Sequence, residues 1–323
     1  MLAVTAGVGS HPVSRPGDEA AAGPGSVRDS HPRPQGRRGW NPAYLFIAPS
    51  LLLIGVFILW PILQTGWMSL HEWTIGEDTH QFLGLRNYSR LFDDPRFFNA
   101  VQVTLIYTVG VTIGSVGLGL LCAQALRRTT WYTSAYRVAF FFPYVASLVV
   151  IGVVFRFLLD PQVGLLAGVM NRLGMHPIDW LQNLHLALPT VVVIGIWKTF
   201  GFSMIVLLAA VQGVPANLNE AAVLDGAGAW QRFRFVTLPS IRLALLFTVV
   251  ISTITGLQLF DLVYVMTSGG PVFHTESIVT YLYQKGFVDF DLGYASALSW
   301  VLFLIILFIS MIQLRLLRYR DDD

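Results

Sequence analysis

Charged side chains make up 12% of this 323-residue chain, half the share of about 25% found in soluble domains. Lysine is scarcer still, since only Lys198 and Lys285 occur. Neither follows a glycine-rich phosphate loop, which excludes ATP hydrolysis by this chain through that route. A single cysteine, Cys122, sits inside an apolar run, so an internal disulfide and a thiolate metal cluster are both excluded. The net charge of +2 is too small for the basic surface that nucleic acid binding demands. Hydrophobic residues fill the place that charge leaves, at 54% of the chain, with a mean hydropathy of +0.60. That balance places the chain in a lipid bilayer.

Residues 1–40 break the pattern. Pro, Gly, Ser and Arg dominate there, with almost no large apolar side chain before Trp40. Such a stretch buries too little surface to offset its ordering entropy and is expected to be a disordered cytoplasmic tail. A cleaved signal peptide would carry an apolar core of about 7–15 residues near its start. Here the first apolar run opens near Tyr44 and extends beyond that length, so it is expected to stay as a membrane helix.

A helix needs about 20 predominantly apolar residues to cross the hydrocarbon core. Six segments meet that length, at about 43–70, 98–126, 134–158, 187–211, 239–265 and 291–317. The expected architecture is therefore an all-α membrane protein. It has a transmembrane domain over 41–318, a polar loop at 212–238 and a short C-terminal tail at 319–323. An even count puts both termini on one side, and loop charge chooses the side. With both termini inside, Arg15, Arg28, Arg33, Arg37, Arg38, Arg127, Arg128, Arg137, Arg232, Arg234, Arg242, Arg315, Arg318 and Arg320 are cytoplasmic. Only Arg86, Arg90, Arg96, Arg156, Arg172 and Lys285 lie outside. The bias predicts N-in, C-in. Loops near 71–97, 159–186 and 266–290 then fall outside, where irregular backbone is tolerated. Trp60, Trp67, Trp73, Trp180 and Trp300 fall near predicted span ends, as interfacial anchors do.

The 212–238 loop is polar, amphipathic and held between two apolar spans. Pro215 is suited to the first turn of a helix, and Leu218, Ala221, Ala222 and Leu224 give that helix an apolar face. Asn217, Asn219 and Glu220 lie elsewhere around it. Gly226-Ala227-Gly228 permits a sharp turn, after which Trp230, Phe233 and Phe235 interleave with Arg232 and Arg234. Pro239 is expected to open the fifth span. Two readings stand on physical grounds: a hairpin lying on lipid headgroups, or a knob that fits a groove on a separate soluble subunit.

A resemblance bears on that choice. Glu220-Ala221-Ala222, three residues, Gly226, nine residues, then Val236, one residue and Leu238-Pro239 resembles the EAA loop of ATP-binding-cassette importer permeases, with Val236 where that family usually has Ile. Phe82-Leu83-Gly84-Leu85-Arg86-Asn87-Tyr88 with Asp94-Pro95-Arg96-Phe97, Thr267-Ser268-Gly269-Gly270-Pro271 with Thr275 and Tyr283, and Gly293-Tyr294-Ala295-Ser296-Ala297 resemble outer loops and the final span of the maltose-permease-like sugar group. The likeness covers about residues 44–318. It implies that the loop forms coupling helices docking on a nucleotide-binding subunit, with Glu220, Ala221, Ala222, Asp225 and Gly226 carrying the coupling. It further implies a second related permease, two copies of an ATPase that holds the ATP and Mg, an external solute-binding protein, and a multi-pass place in a bacterial inner membrane. On that basis the chain itself binds no cofactor and is not an enzyme.

Candidate substrate contacts follow from helix rise and from the resemblance. At 1.5 Å per residue, Ser252, Thr255 and Gln258 stand roughly 20 to 29 Å beyond Pro239 and form a slanted stripe. Neutral hydroxyls and amides exchange hydrogen bonds with a sugar, although interhelical hydrogen bonding uses the same residue types. Ser252, Thr255 and Gly256 also match the stretch in which the family's substrate contacts fall. Lys198 lies roughly 14 Å in from Pro189, and a charge at such depth is a functional candidate. Pairing with carbonyls and snorkelling through a vestibule compete with substrate contact. Thr199 and Phe202 belong to the segment Trp197-Lys198-Thr199-Phe200-Gly201-Phe202, which is similar to one common across these permeases. The same rise puts Asp261 roughly 33 Å from Pro239, at the outer interface and away from Lys198.

The expected substrate is an oligosaccharide or related glycoside. Glycerol-phosphate esters, for which Lys198 would be the natural partner, or another polar solute are the alternatives. A membrane-embedded enzyme is the remote one: His71 and His80 border Glu72, Glu77 and Asp78, but their spacing matches no metal-ligand pattern, and His176 and His185 are isolated.

Overall fold

The structure is a computed structural model that describes residues 43–74, 76, 80–128 and 130–318, so the expected tails at 1–40 and 319–323 lie outside the described residues. The chain divides into two units, Met1–Leu51 and Leu52–Asp323. The described part of the first is the opening of one helix, and the second holds everything that follows.

The elements in order are α1 (Ala43–Ile54), a π-turn at Gly55–Leu59, α2 (Trp60–Ser69), α3 (Arg86–Phe92), α4 (Pro95–Ala125), α5 (Trp131–Val145), α6 (Leu148–Leu158), α7 (Leu165–Arg172) and α8 (Ala187–Gln212). They continue with α9 (Ala216–Leu224), α10 (Ala229–Arg232), a π-turn at Phe233–Thr237, α11 (Leu238–Ser240), α12 (Arg242–Leu257), α13 (Asp261–Met266), α14 (Ile278–Tyr283), a π-turn at Gln284–Val288 and α15 (Leu292–Arg318). The described residues contain no strand, only isolated bridges between His71 and Phe82 and between Thr74 and Asp291.

The longest helices arise where the apolar runs are longest and the ends are marked. Asp94 caps α4 by accepting the Arg96 N–H at 2.9 Å, and Pro95 occupies a first-turn position where no backbone donor is needed. At its far end α8 stops at Gly213. The two helices run parallel: a Cβ on Gly110 would meet Val192, one on Gly114 would meet Ile196, and one on Gly119 would meet Ser203. In the opposite direction, α12 sets Ala244, Leu245 and Val249 against Val116, Ala123, Leu207 and Leu208. Its other end reaches Thr108 through Gly256. A further core joins α4, α6, α8 and α13 around Tyr107, Ile151, Val191, Ile194, Leu262 and Val263.

Among the described residues four helical stretches are long and apolar enough to cross a membrane, at Phe46–Ser69, Pro95–Ala125, Ala187–Gln212 and Leu292–Arg315. The expected six are reached only if each of two bent pairs is one span. Expected as one helix over 134–158, the third is instead α5 and α6, meeting at 95°. Ala146 and Ser147 take extended backbone there, after Pro143 has removed a donor from the last turns of α5.

The fifth, expected over 239–265, is interrupted at both ends. Pro239 does not open it but lies in α11, and α12 leaves that segment at Ile241 with a bend of 72°. Beyond Leu257 the helix stops, and α13 restarts at Asp261. The carbonyl of Leu259 in this gap accepts the Ser277 hydroxyl at 2.5 Å, a partner that replaces the missing helical donor. The three loops expected to be irregular each contain a short helix, α3, α7 and α14.

Candidate functional site

Two adjoining cavities lie where α4, α5, α8 and α12 meet. The larger, of about 360 Å3, is lined by Tyr107, Tyr144, Lys198, Thr199, Thr255, Gln258 and Asp261, among others. The smaller, of about 40 Å3, adds Phe202, Ser252 and Gly256 to the shared Tyr107, Tyr144, Thr199 and Thr255. All seven residues expected along a substrate pathway (Lys198, Thr199, Phe202, Ser252, Thr255, Gly256 and Gln258) therefore come together on these walls.

Their surroundings differ. Lys198 is only 5% exposed; its Nζ donates to the Tyr144 carbonyl at 2.5 Å and lies 5.2 Å from the Tyr144 ring centroid. The Thr199 hydroxyl donates to the Gly195 carbonyl at 2.8 Å. Phe202 stacks on Tyr144 at 5.0 Å. Ser252 and Gly256 are buried, whereas Thr255 and Gln258 are open to the cavity side. Helix packing is close: a Cβ on Gly195 would sit 2.4 Å from the Tyr107 hydroxyl, and one on Gly201 would sit 2.1 Å from the Phe140 carbonyl.

Asp261 adds a point that the distance argument from a continuous helix did not contain. The break after Leu257 lets it line the same cavity as Lys198, without an ion pair between the two. Sequence alone does not single out Tyr107 and Tyr144: Tyr144 is an isolated ring in an apolar run, and Tyr107 sits beside Thr104, Thr108, Thr112 and Ser115, whose stripe on α4 is the signal that could have found it. Phenol, hydroxyl and amide groups on one wall suit an uncharged, hydroxyl-bearing solute.

At the distal end of α8 the chain forms a helix–turn–helix. Pro215 stands at the cap position rather than in the first turn, and α9 begins at Ala216. Asp225 closes α9, and Gly226 takes φ +76. The Gly226 N–H donates to Val223 O at 3.0 Å and the Ala227 N–H to Ala222 O at 2.9 Å, the paired bonds of a Schellman ending. A glycine is needed because a side chain is disfavoured at that φ. The Gly228 N–H then donates to Gln231 Oε1 at 2.7 Å and α10 begins. None of α9 is buried: Glu220 and Ala221 are exposed, Ala222 is half-buried, and Leu224 is 88% exposed. Trp230 and Phe235 are exposed as well.

The opposite end of α4 is closed by polar pairs. Arg96 forks onto Glu276, with Nε and Nη2 each at 2.7 Å from a carboxylate oxygen, and its guanidinium lies 4.0 Å from the Phe273 ring centroid. Asp94 accepts from the Tyr281 hydroxyl and, at 2.6 Å, from that of Tyr294. Burial raises the Asp94 pKa, but bonds from Tyr281, Tyr294 and the Arg96 and Phe97 backbone outweigh it and hold the carboxyl below its ordinary value.

Among the described residues no three His, Cys, Asp or Glu side chains gather to hold a metal. His71 instead bonds the Trp67 carbonyl through Nδ1 at 2.8 Å, and His80 stacks on Trp73 at 3.6 Å. The Glu77 and Asp78 of the considered cluster lie outside the described residues.

Residues 115–321 match the family described as binding-protein-dependent transport system inner membrane component. The chain is 33% identical to the sulfoquinovosyl glycerol transport system permease protein of Agrobacterium fabrum, over 86% of this chain and 91% of that one. It is 32% identical to the trehalose/maltose transport system permease protein of Thermococcus litoralis, over 86% and 94%. Among solved structures, a chain of a bacterial ABC transporter involved in the import of the acidic polysaccharide alginate superposes with a TM-score of 0.76. It shares 22% identity and covers 86% of this chain and 95% of that one, a likeness of fold.

Proposed function

Because the chain belongs to the family of binding-protein-dependent transport system inner membrane components, we propose that it is the permease subunit of an ATP-binding-cassette importer that passes a sugar through the plasma membrane. The cavity between α4, α5, α8 and α12 is the part of the pathway that meets the solute. Tyr107, Thr199, Ser252, Thr255 and Gln258 offer it hydroxyl and amide partners. In this reading the bent pair α5–α6 is one span and α12, beyond its 72° bend from α11, is another, which makes six, with both termini inside and the α9–α11 loop in the cytoplasm.

The main support is the exposed loop itself. A helix ended by a left-handed glycine, with Leu224, Trp230 and Phe235 turned outward, is suited to a groove on another subunit. That partner is an ATPase dimer that binds ATP and Mg. A related permease completes the pathway, and an external binding protein delivers the sugar. Glu220, Ala221, Ala222, Asp225 and Gly226 carry the coupling, and no residue of this chain is catalytic.

Uptake by the reconstituted complex, measured against a panel of disaccharides and glycerol-phosphate esters, tests the assignment. Uptake of a neutral saccharide driven by ATP is expected. Uptake confined to a phosphate ester would overturn the sugar class.

A further inference from the structure

Three basic side chains end on backbone carbonyls at helix carboxyl ends. Arg137 Nη2 donates to Leu126 O at 2.6 Å, where α4 stops. Arg156 Nη1 donates to Val265 O at 3.3 Å, in the last turn of α13. Lys198 Nζ donates to Tyr144 O at 2.5 Å, in the last turn of α5. The last four carbonyls of a helix have no intrahelical donor and form the negative end of its dipole. In a continuous helix Tyr144 O would accept from residue 148, but the chain turns through 95° there and Leu148 starts a new helix.

Burying an ammonium is costly unless it is hydrogen-bonded, and Lys198 is 5% exposed. Tyr144 supplies both a carbonyl and, at 5.2 Å, the face of its ring. Gly201 lets α8 come close enough for this, since a Cβ there would sit 2.1 Å from the Phe140 carbonyl. The ring so held stacks on Phe202 and lines both cavities.

We propose that Lys198 is a positioning residue, a cation that caps α5 from the neighbouring helix, holds the α5–α6 bend and thereby fixes the Tyr144 ring at the cavity wall. This role rests on the reading of that cavity as the solute pathway. With Lys198 engaged, Asp261 is the other charged residue of the lining, so the wall presents no free cation to an anionic solute.

The test uses the whole reconstituted complex carrying Lys198→Met, Lys198→Gln or Lys198→Arg. It reads thermal unfolding and solute-stimulated ATP hydrolysis at a fixed amount of binding protein. Lys198→Met is expected to lower the unfolding midpoint and to cut the maximal stimulated rate about tenfold. Its half-saturating solute concentration stays within about twofold, as befits a residue that does not bind the solute. Lys198→Arg restores both, and Lys198→Gln, which keeps a neutral donor, falls between them even if the Met variant does not assemble. A rise of about tenfold in half-saturation with an unchanged midpoint would make Lys198 a solute ligand and overturn the cap. Absence of solute stimulation in the unsubstituted complex would defeat the pathway reading alone, because the unfolding midpoints still report the cap.

Discussion

The end of the molecule that gathers residues 94–97 and 273–294 turns its polar groups on itself, whereas the loop from Val214 to Val236 buries none of its residues. At the first end Glu276 is buried against Arg96, and Asp94 is bonded by two tyrosines from separate elements. At the second, α9 buries nothing and turns Leu218, Val223 and Leu224 outward. A half-buried ion pair whose guanidinium lies on an aromatic ring holds one arrangement and resists separation. An exposed apolar face on a defined helix gains free energy only when something covers it. One end is thus built to stay closed, the other to be met.

Substitutions at the two ends should therefore separate stability from coupling, and their expected effects on unfolding run from large to none. Arg96→Ala leaves Glu276 buried without its partner and should cost about 3 kcal/mol, read as a lower unfolding midpoint of the purified subunit. Replacing Arg96 and Glu276 together by methionine should cost less, because no unpaired charge remains. An unchanged midpoint in Arg96→Ala would mean that the pair does not hold this end.

Gly226→Ala forces a side chain into φ +76 and should cost about 1 kcal/mol, confined to the loop. Its unfolding midpoint should barely move while solute-stimulated ATP hydrolysis falls. Loss of both together would erase the contrast between the ends.

The Asp94 carboxyl has its pKa lowered in the folded state, so its contribution is present above the ordinary carboxylate pKa and is lost as pH falls through the folded value. Between about pH 5 and pH 3 the unfolding midpoint should therefore drop more in the unsubstituted chain than in Asp94→Asn. Equal drops would remove Asp94 from the closed end. Leu224→Ala is expected to leave unfolding unchanged, since that side chain is 88% exposed, yet to cut stimulated hydrolysis about tenfold if it is an anchor of the interface.

The contrast also shows what the sequence discloses. Helices α4, α8 and α15 are legible because apolar run length alone encodes a crossing. The turn at Gly226 is legible because only local backbone chemistry is involved. The breaks in α5–α6 and α12–α13 are not, because the groups that satisfy their freed carbonyls are remote: Lys198 stands 54 residues from Tyr144 and Ser277 stands 18 from Leu259. The place of Asp261 on the cavity wall has the same origin, since a uniform helical rise does not disclose the break that precedes it. Of the seven residues expected along the pathway, Lys198, Ser252, Thr255 and Gln258 stand out as polar groups in apolar spans and Thr199, Phe202 and Gly256 through the resemblance. The two cavities gather them, and their contact with solute is the proposal. Tyr144 is not legible, as a single ring in an apolar run carries no direction until its neighbours are known, whereas the stripe of Thr104, Thr108, Thr112 and Ser115 beside Tyr107 is a readable signal.

The central claim is that the loop from Val214 to Val236, none of whose residues is buried, couples this subunit to an ATPase and is otherwise dispensable to the fold. Solute-stimulated ATP hydrolysis by the reconstituted complex carrying Glu220→Ala, normalised to the amount of subunit in the membrane, tests it most directly. The account predicts that stimulation is lost while the amount of subunit and its unfolding midpoint stay at the unsubstituted values. Normal stimulation at normal subunit levels would contradict it.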